Sequence, residues 1–396
     1  PRKAALKEAK FMQEERKRIL DSVEKGTISA QEALILLEAL GNEGAASASA
    51  YAGTGHSESK THSTHTNSET HNKKSTSSQA EDFMEDIKRD FTQFSDRFMQ
   101  FMQTTVGKMK SFDFDMPFGE PNEFHHTVTK ENVDFKEISV DIANGKFEIY
   151  PSQDGQVRAE CHVKVYRSTS EEDTKKEFLE KFVFVVDQQR LRIISDLKTT
   201  SVNVVLYVPT KLYDSISVRL FNGSFIGKHL EVDRLKVKTA NGKIELKDVQ
   251  LEDGEIQTAN GAILIKDAKG NKIDAETING KIYIDGHLVD IEAQSVNGNV
   301  VVTTKNPDAR KIEGRAVAGA VEIYIPSTVG LQGDIASNFG KMDVALPDVT
   351  RVNEQEHFLQ KNIRFTKEIA GSTVAPLYIK GEAKTGSVLV RYISSE

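Results

Sequence analysis

Along the middle of the chain, short runs of alternating apolar and polar residues recur about every nineteen residues, and each is interrupted by an Asn-Gly pair. The pairs are Asn222-Gly223, Asn241-Gly242, Asn260-Gly261, Asn279-Gly280 and Asn297-Gly298, at steps of 19, 19, 19 and 18 residues. Seven residues before each glycine stand Ile216, Leu235, Gly254, Ile273 and Ile291, and five before it Val218, Val237, Ile256, Ala275 and Ala293. Two residues after it stand Phe225, Ile244, Ile263, Ile282 and Val300, and four after it Gly227, Leu246, Ile265, Ile284 and Val302. Period-2 alternation on both sides of a turn predicts two short strands per repeat. A period near twenty predicts stacked coils.

Both residues of an Asn-Gly pair tolerate positive φ, which suits a sharp corner. Two architectures satisfy the pattern. One is a β-solenoid, in which a second bend near Asp248, Asp267 or Asp285 returns the chain so that equivalent residues lie above one another. The other is an antiparallel meander of five Asn-Gly hairpins. The offset columns persist where the turn itself changes, around Gly319, Gly340 and Gly386, and recur at Asn144-Gly145, which favours the solenoid and extends it to nine copies. The outer copies are degenerate, as expected of repeats that must cap exposed strand edges.

The repeat domain is placed at residues 130–396, with a β-rich insert at 151–210 that breaks the period. Within and around it, Val157 to Tyr166 reads as a strand, Ser170 to Phe182 as a helix capped by Ser170, and Phe182 to Val186, Leu191 to Ile194 and Val202 to Val208 as further strands. The insert is expected over the open end of the stack. A second interruption, 345–376, reads as polar and irregular.

The first 112 residues are different in kind. Ile19, Leu20 and Val23 on one face, a C-cap at Gly26, and a capping box of Ser29 and Glu32 before Ala33, Leu34, Leu36, Leu37 and Leu40 predict a helical hairpin over 1–41. So small a unit packs on a second copy or a partner, which makes homo-oligomerisation through 1–41 the expectation. Residues 42–80 are rich in Ser, Thr and His and read as a disordered linker. Its His56, His62, His65 and His71 match no rigid metal-ligand spacing. Over 81–112, Phe83, Ile87, Phe91, Phe94, Phe98, Phe101, Met102 and Met109 recur at three- and four-residue steps, which predicts a separate amphipathic helix. It is free to dock on the solenoid, to pair with another helix or to lie on a membrane surface.

Outward positions of the solenoid suggest where docking occurs. Before the turn they are polar, as in Lys236 and Lys238 or Glu255 and Gln257, and that face reads as solvated. Three residues beyond the glycine, Leu264, Tyr283 and Val301 are expected in one contiguous apolar stripe. An exposed stripe of this kind marks an interaction surface, or is covered by the Phe-rich helix as structure.

Chemistry is scarce. With 38% hydrophobic residues no stretch approaches a membrane span. The lone Cys161 sits in an alternating strand as a small buried residue. The net charge of −7 with scattered Lys and Arg gives no basic face for nucleic acid. No cofactor loop, metal-ligand pair or nucleophile elbow is present. Glu255, Asp274 and Glu292 share an outward column, reminiscent of the carboxylates of polysaccharide-acting β-helices, but solubilising charge is the simpler role, and no enzyme is expected. The first 20 residues are charged, with no signal peptide visible, which reads as cytoplasmic.

Two segments resemble known families. Glu14-Glu15-Arg16-Lys17-Arg18-Ile19-Leu20 through Gly26-Thr27-Ile28-Ser29-Ala30-Gln31-Glu32-Ala33-Leu34 looks like the short helical N-terminal domain of the YvlB and LiaX proteins of Gram-positive bacteria. The Asn-Gly repeats, with Tyr207-Val208-Pro209 and Tyr324-Ile325-Pro326 at strand ends, resemble the β-strand-repeat "putative adhesin" domain of unknown function in the same proteins. The resemblance implies a non-catalytic role in the cell-envelope stress response to antimicrobial peptides or membrane damage. It also implies partners among membrane proteins of the phage-shock type, or the membrane surface. The alternative is a surface adhesin or extracellular ligand-binding protein, which requires export by a non-classical route.

Overall fold

The computed structural model describes residues 122–394, apart from 167–169, 198, 358–359 and 371–373. All of them fall in the second of two compact units, Ser75–Glu396. The helical hairpin, the linker and the Phe-rich helix expected over 1–112 lie outside the described residues.

In chain order the N-terminal end holds β1 (Asn122–Lys130), β2 (Glu137–Asn144), β3 (Phe147–Pro151), β4 (Val157–Val165), helix α1 (Glu171–Lys181), β5 (Val183–Asp187), β6 (Arg190–Ser195) and β7 (Thr200–Val208). The middle holds β8 (Leu212–Asn222), β9 (Phe225–Asn241), β10 (Ile244–Asn260), β11 (Ile263–Asn279) and β12 (Ile282–Asn297). The C-terminal end holds β13 (Val300–Thr304), β14 (Lys311–Ala318), β15 (Val321–Ile325), β16 (Leu331–Ser337), β17 (Met342–Ala345), β18 (Thr350–His357), β19 (Gln360–Lys367), β20 (Leu377–Ala383) and β21 (Val388–Tyr392).

The repeats form a β-solenoid. Strands on either side of an Asn-Gly turn do not pair with each other, as a meander requires. They pair in parallel with their equivalents one coil away, Asn241 with both Asn222 and Asn260, and Ile244 with both Phe225 and Ile263. Each middle strand is continuous for 16 or 17 residues. Its inward phase slips at two places. In β9 the buried positions are Phe225 and Gly227, then Leu230 and Val232, then Leu235, Val237 and Thr239. Each slip is a bend, so a coil has three sides around the core. The first bend is made by His229, Asp248 and Asp267, all in the left-handed region with φ of 54°, 51° and 54°. The middle side, with Leu230, Val232, Val249 and Leu251, is an addition to the two strands expected from the offsets around glycine.

Glycine at the corners has a second cause besides the expected positive φ, which Gly242 and Gly298 adopt at 159° and 154°. None of the five turn asparagines has positive φ. The coils approach so closely there that a Cβ on Gly261 would lie 2.1 Å from the Gly242 carbonyl oxygen, and one on Gly280 would lie 1.9 Å from that of Gly261. Any side chain pushes the coils apart.

At both ends, order along the sequence and order along the stack part company. β2 pairs in parallel with β8 on one side and with β6 on the other, and β3 likewise with β9 and β7. The expected insert therefore supplies a further, outermost coil. Beyond it, β4 pairs antiparallel with β7, and β1 with β4. β1, from Asn122, lies ahead of the expected boundary at 130. Helix α1 seats Phe178 edge-on against Phe124 at 5.5 Å, and the Ser170 hydroxyl accepts from the Asp173 amide to cap it. At the other end β20 lies between β14 and β16, and β21 between β15 and β17, so the last copy in the sequence is next to last in space. The stretch expected to be irregular forms the β18–β19 hairpin, with β19 antiparallel to β16.

Candidate interaction surface

Three outer features run along the stack. The first is the corner. Asn222 donates through Nδ2 to Asn144 Oδ1 at 2.9 Å, and Asn241, Asn260, Asn279 and Asn297 each donate to the preceding asparagine at 2.8 Å. Beneath them the hydroxyls of Thr239, Thr258, Thr277 and Ser295 donate to the carbonyl oxygens of Gly223, Gly242, Gly261 and Gly280 at 2.9 to 3.1 Å. Sequence reasoning missed this buried column, although its signal was present as a hydroxyl three residues before each glycine from Gly242 to Gly298. Together the two ladders satisfy corner groups that the closeness of the coils shields from water.

The second feature is the outer face after the turn. Register pairing carries one column through Ile226, Glu245, Leu264, Tyr283, Val301 and Glu322. The structure brings Leu264, Tyr283 and Val301 side by side, half-buried, as the walls of an open depression completed by Lys266, Lys281 and Asn299. Burial, with Asp285 nearby, raises the Tyr283 phenol above its ordinary range. Glu245 flanks the stripe and is held below the ordinary carboxylate range, chiefly by a hydrogen bond from Lys243. Lys228, Lys247 and Lys266 stand in adjacent register on the same side. The depression thus offers an apolar floor rimmed by ammonium groups.

The third feature is the outer face before the turn, where the expectation of a solvated face fails. Glu255, Asp274, Glu292 and Glu313 do stand side by side in register. Lys236 and Lys238 pair with Glu255 at 2.5 and 2.7 Å, and Lys311 pairs with Glu292 at 3.1 Å. Burial pushes the Glu255 carboxyl up, but the two lysine hydrogen bonds outweigh it and leave it below its ordinary value. These acids are spread along one sheet face, and Glu255, Glu292 and Glu313 are engaged in ion pairs, an arrangement that lends no support to a polysaccharide-acting site. One column nearer the turn, Gln257 and Glu276 are buried, with Gln257 Nε2 donating to Glu276 Oε2 at 2.7 Å. Beside them Ala240 and Ala259 form a small apolar cluster with Phe221 and Ile278, separate from the interior core.

Among the described residues no group of three or more His, Cys, Asp or Glu side chains is placed to hold a metal ion. Cys161 is buried in β4, and burial pushes its thiol up to about 12, far from a reactive thiolate. No described helix is long and apolar enough to cross a membrane. Phe83, Ile87, Phe91, Phe94 and Phe98, the remaining candidate contact residues, lie outside the described residues.

Comparison with known proteins agrees with the repeat architecture. Residues 135–374 match the family model described as Toastrack DUF4097, and residues 14–45 match a SHOCT-like domain. The chain is 37% identical to YvlB of Bacillus subtilis over 383 residues, 96% of this chain and 99% of that protein. Among solved structures it is similar to a "putative adhesin" from Bacteroides fragilis, 12% identical with a TM-score of 0.39, covering 68% of this chain and 97% of that one. It is also similar to a "putative lipid binding protein" from Parabacteroides distasonis, 18% identical with a TM-score of 0.38, covering 67% of this chain and 96% of that one.

Proposed function

The chain belongs to the Toastrack DUF4097 family, and from that premise we propose that it is a non-catalytic binding scaffold of the bacterial cell-envelope stress response, answering antimicrobial peptides or membrane damage. The observation that carries the reading is the apolar stripe of Leu264, Tyr283 and Val301 along one outer face. Repeat proteins use extended faces of this kind for recognition, because each coil fixes the next and the surface needs no ordering on binding. A membrane protein of the phage-shock type, or the membrane surface itself, fits an apolar floor with lysines at its rim. The scaffold works from the cytoplasmic side, with the family's helical N-terminal domain supplying self-association.

Cell fractionation tests this. After exposure to a membrane-active peptide, the full chain is expected to move from the cytosolic to the membrane fraction. A folded variant carrying Leu264→Asp, Tyr283→Ser and Val301→Asp is expected to stay behind. An unchanged distribution, or a variant that moves equally well, overturns the reading. Recovery of the chain on the cell exterior replaces it with the extracellular adhesin.

A further inference from the structure

Outward-facing residues on a solvated sheet keep part of their surface in water, and an alanine side chain is too short to cover itself. Yet Ala240 is 2% exposed, Ala259 5% and Gln257 4%. They belong to the pre-turn outer face. Val237 and Ile256 point into the core, so Lys238 and Gln257 point out, and Ala240 and Ala259 follow two residues later on the same side. Their cluster is distinct from the core, and among the described residues Phe221 and Ile278 pack against it. The principal contacts of β9 to β12 run to their neighbours in the stack, and no described element packs across this face. Two alanines between Phe221 and Ile278 leave a saddle that large side chains fill well.

We propose that this saddle is the seat of residues 83–109 of the same chain, bound as an amphipathic helix with Phe91, Phe94 and Phe98 toward Ala240 and Ala259. Reach permits it. Residues 113–121 lead into β1 and extend to about 30 Å. Five strand spacings separate β1 from β10 through β4, β7, β3 and β9, which is about 24 Å along the stack. Charge does not oppose it: residues 83–109 carry four acids and four bases, so the acidic column of Glu255, Asp274 and Glu292 beside the seat meets a segment with no net charge. The seat is a different face from the Leu264 stripe, so the two surfaces are independent.

Thiol alkylation of the full chain tests the assignment. Cys161 is buried, with its thiol pushed up to about 12, and serves as a slow internal reference. The thiol introduced by Ala259→Cys is expected to react roughly tenfold more slowly than one introduced by Asn299→Cys at an exposed position, the ratio for a seat occupied about nine-tenths of the time. Adding Phe91→Asp and Phe94→Asp should abolish that protection. Ala240→Cys gives an independent reading if the first variant does not fold. Fast alkylation in the parent background, or protection that survives the two aspartates, overturns the proposal. Protection that disappears on dilution also overturns it, because the occupant is then the segment of a second copy.

Discussion

The middle coils and the two ends of the solenoid are built from the same repeat but held by different means. From Asn222 to Asn297 each coil lies on its sequence neighbour, and the contacts at the corner are copied from one coil to the next. At the C-terminal end the chain travels outward to lay down β16 and returns to slip β20 into the gap it left, and at the N-terminal end it adds β6 outside β2 before returning to start β8 on the other side of β2. Individual contacts then replace the periodic ones. Phe178 of α1 packs on Phe124, and Tyr213 OH donates to the Pro209 carbonyl oxygen at 2.7 Å. The Lys367 ammonium meets Asp348 at 2.8 Å and the Tyr392 hydroxyl at 3.1 Å. A periodic stack is stabilised by nearest-neighbour interfaces, so damage to one middle coil is felt by both neighbours. Damage at an end should remain local.

The largest expected contrast uses glycine. Gly261→Ala places a Cβ 2.1 Å from the Gly242 carbonyl oxygen in the middle of the stack. Since the obstacle is backbone on a neighbouring coil, both coils must part, and a loss of at least about 4 kcal/mol is expected, in the exceptional tail for single substitutions. Gly155→Ala, in the loop before β4, meets nothing within 4 Å and carries only the strain of φ +71°, about 1–2 kcal/mol. Denaturant melts of the two variants make the comparison. Equal losses would mean that the corner approach is not what makes glycine necessary.

That contrast also separates what could be read in the sequence from what could not. Period and offset columns disclose the middle because its contacts are local and repeated, and Leu264, Tyr283 and Val301 come together as their spacing requires. Chain order at the ends is set by long-range pairing. Nothing in residues 377–392 distinguishes a coil laid beyond β16 from one slipped between β14 and β16. The irregular reading of 345–376 failed for a related reason. β19 is held by antiparallel hydrogen bonds between β16 and the edge strand β18, and it needs apolar residues on one face only, Ile363 and Phe365. The burial of Gln257 and Glu276 was illegible because polarity alone signals solvent, whereas cover depends on what crosses the face.

A smaller contrast comes from the hydroxyl column. Thr258 is fully buried and donates to the Gly242 carbonyl oxygen at 3.1 Å. Thr258→Val keeps the shape and deletes the bond, for an expected loss of about 1–2 kcal/mol. Thr385, which stands one residue before the corner glycine Gly386 near the C-terminal end, in the asparagine column, is exposed and donates to the Val317 carbonyl oxygen at 3.3 Å. Thr385→Val should therefore stay within about 0.5 kcal/mol of the parent. Equal effects would show that the corner ladder is no stronger in the middle than at the rim.

The smallest expected effect concerns acid. Burial raises the Glu255 carboxyl, but hydrogen bonds from Lys236 and Lys238 prevail and hold it below its ordinary value of 4.5. A folded-state value lower than the unfolded one means that the unfolded chain binds the extra proton first as pH falls. The stabilising contribution is therefore complete above about pH 4.5 and is lost as pH drops through the lowered folded value. Glu255→Gln cannot titrate, so its stability should depend less steeply on pH in the window below 4.5, with little difference in slope near neutrality. Glu245, held down chiefly by a hydrogen bond from Lys243 on the post-turn face, titrates in the same direction, and Glu245→Gln should flatten the same window independently of Glu255→Gln. Because the two pairs lie on different sides of the coil, their effects on the acid slope should add. A double variant whose slope matches either single one would mean that the two faces open together, and that a coil, rather than a side, is the cooperative unit of the stack.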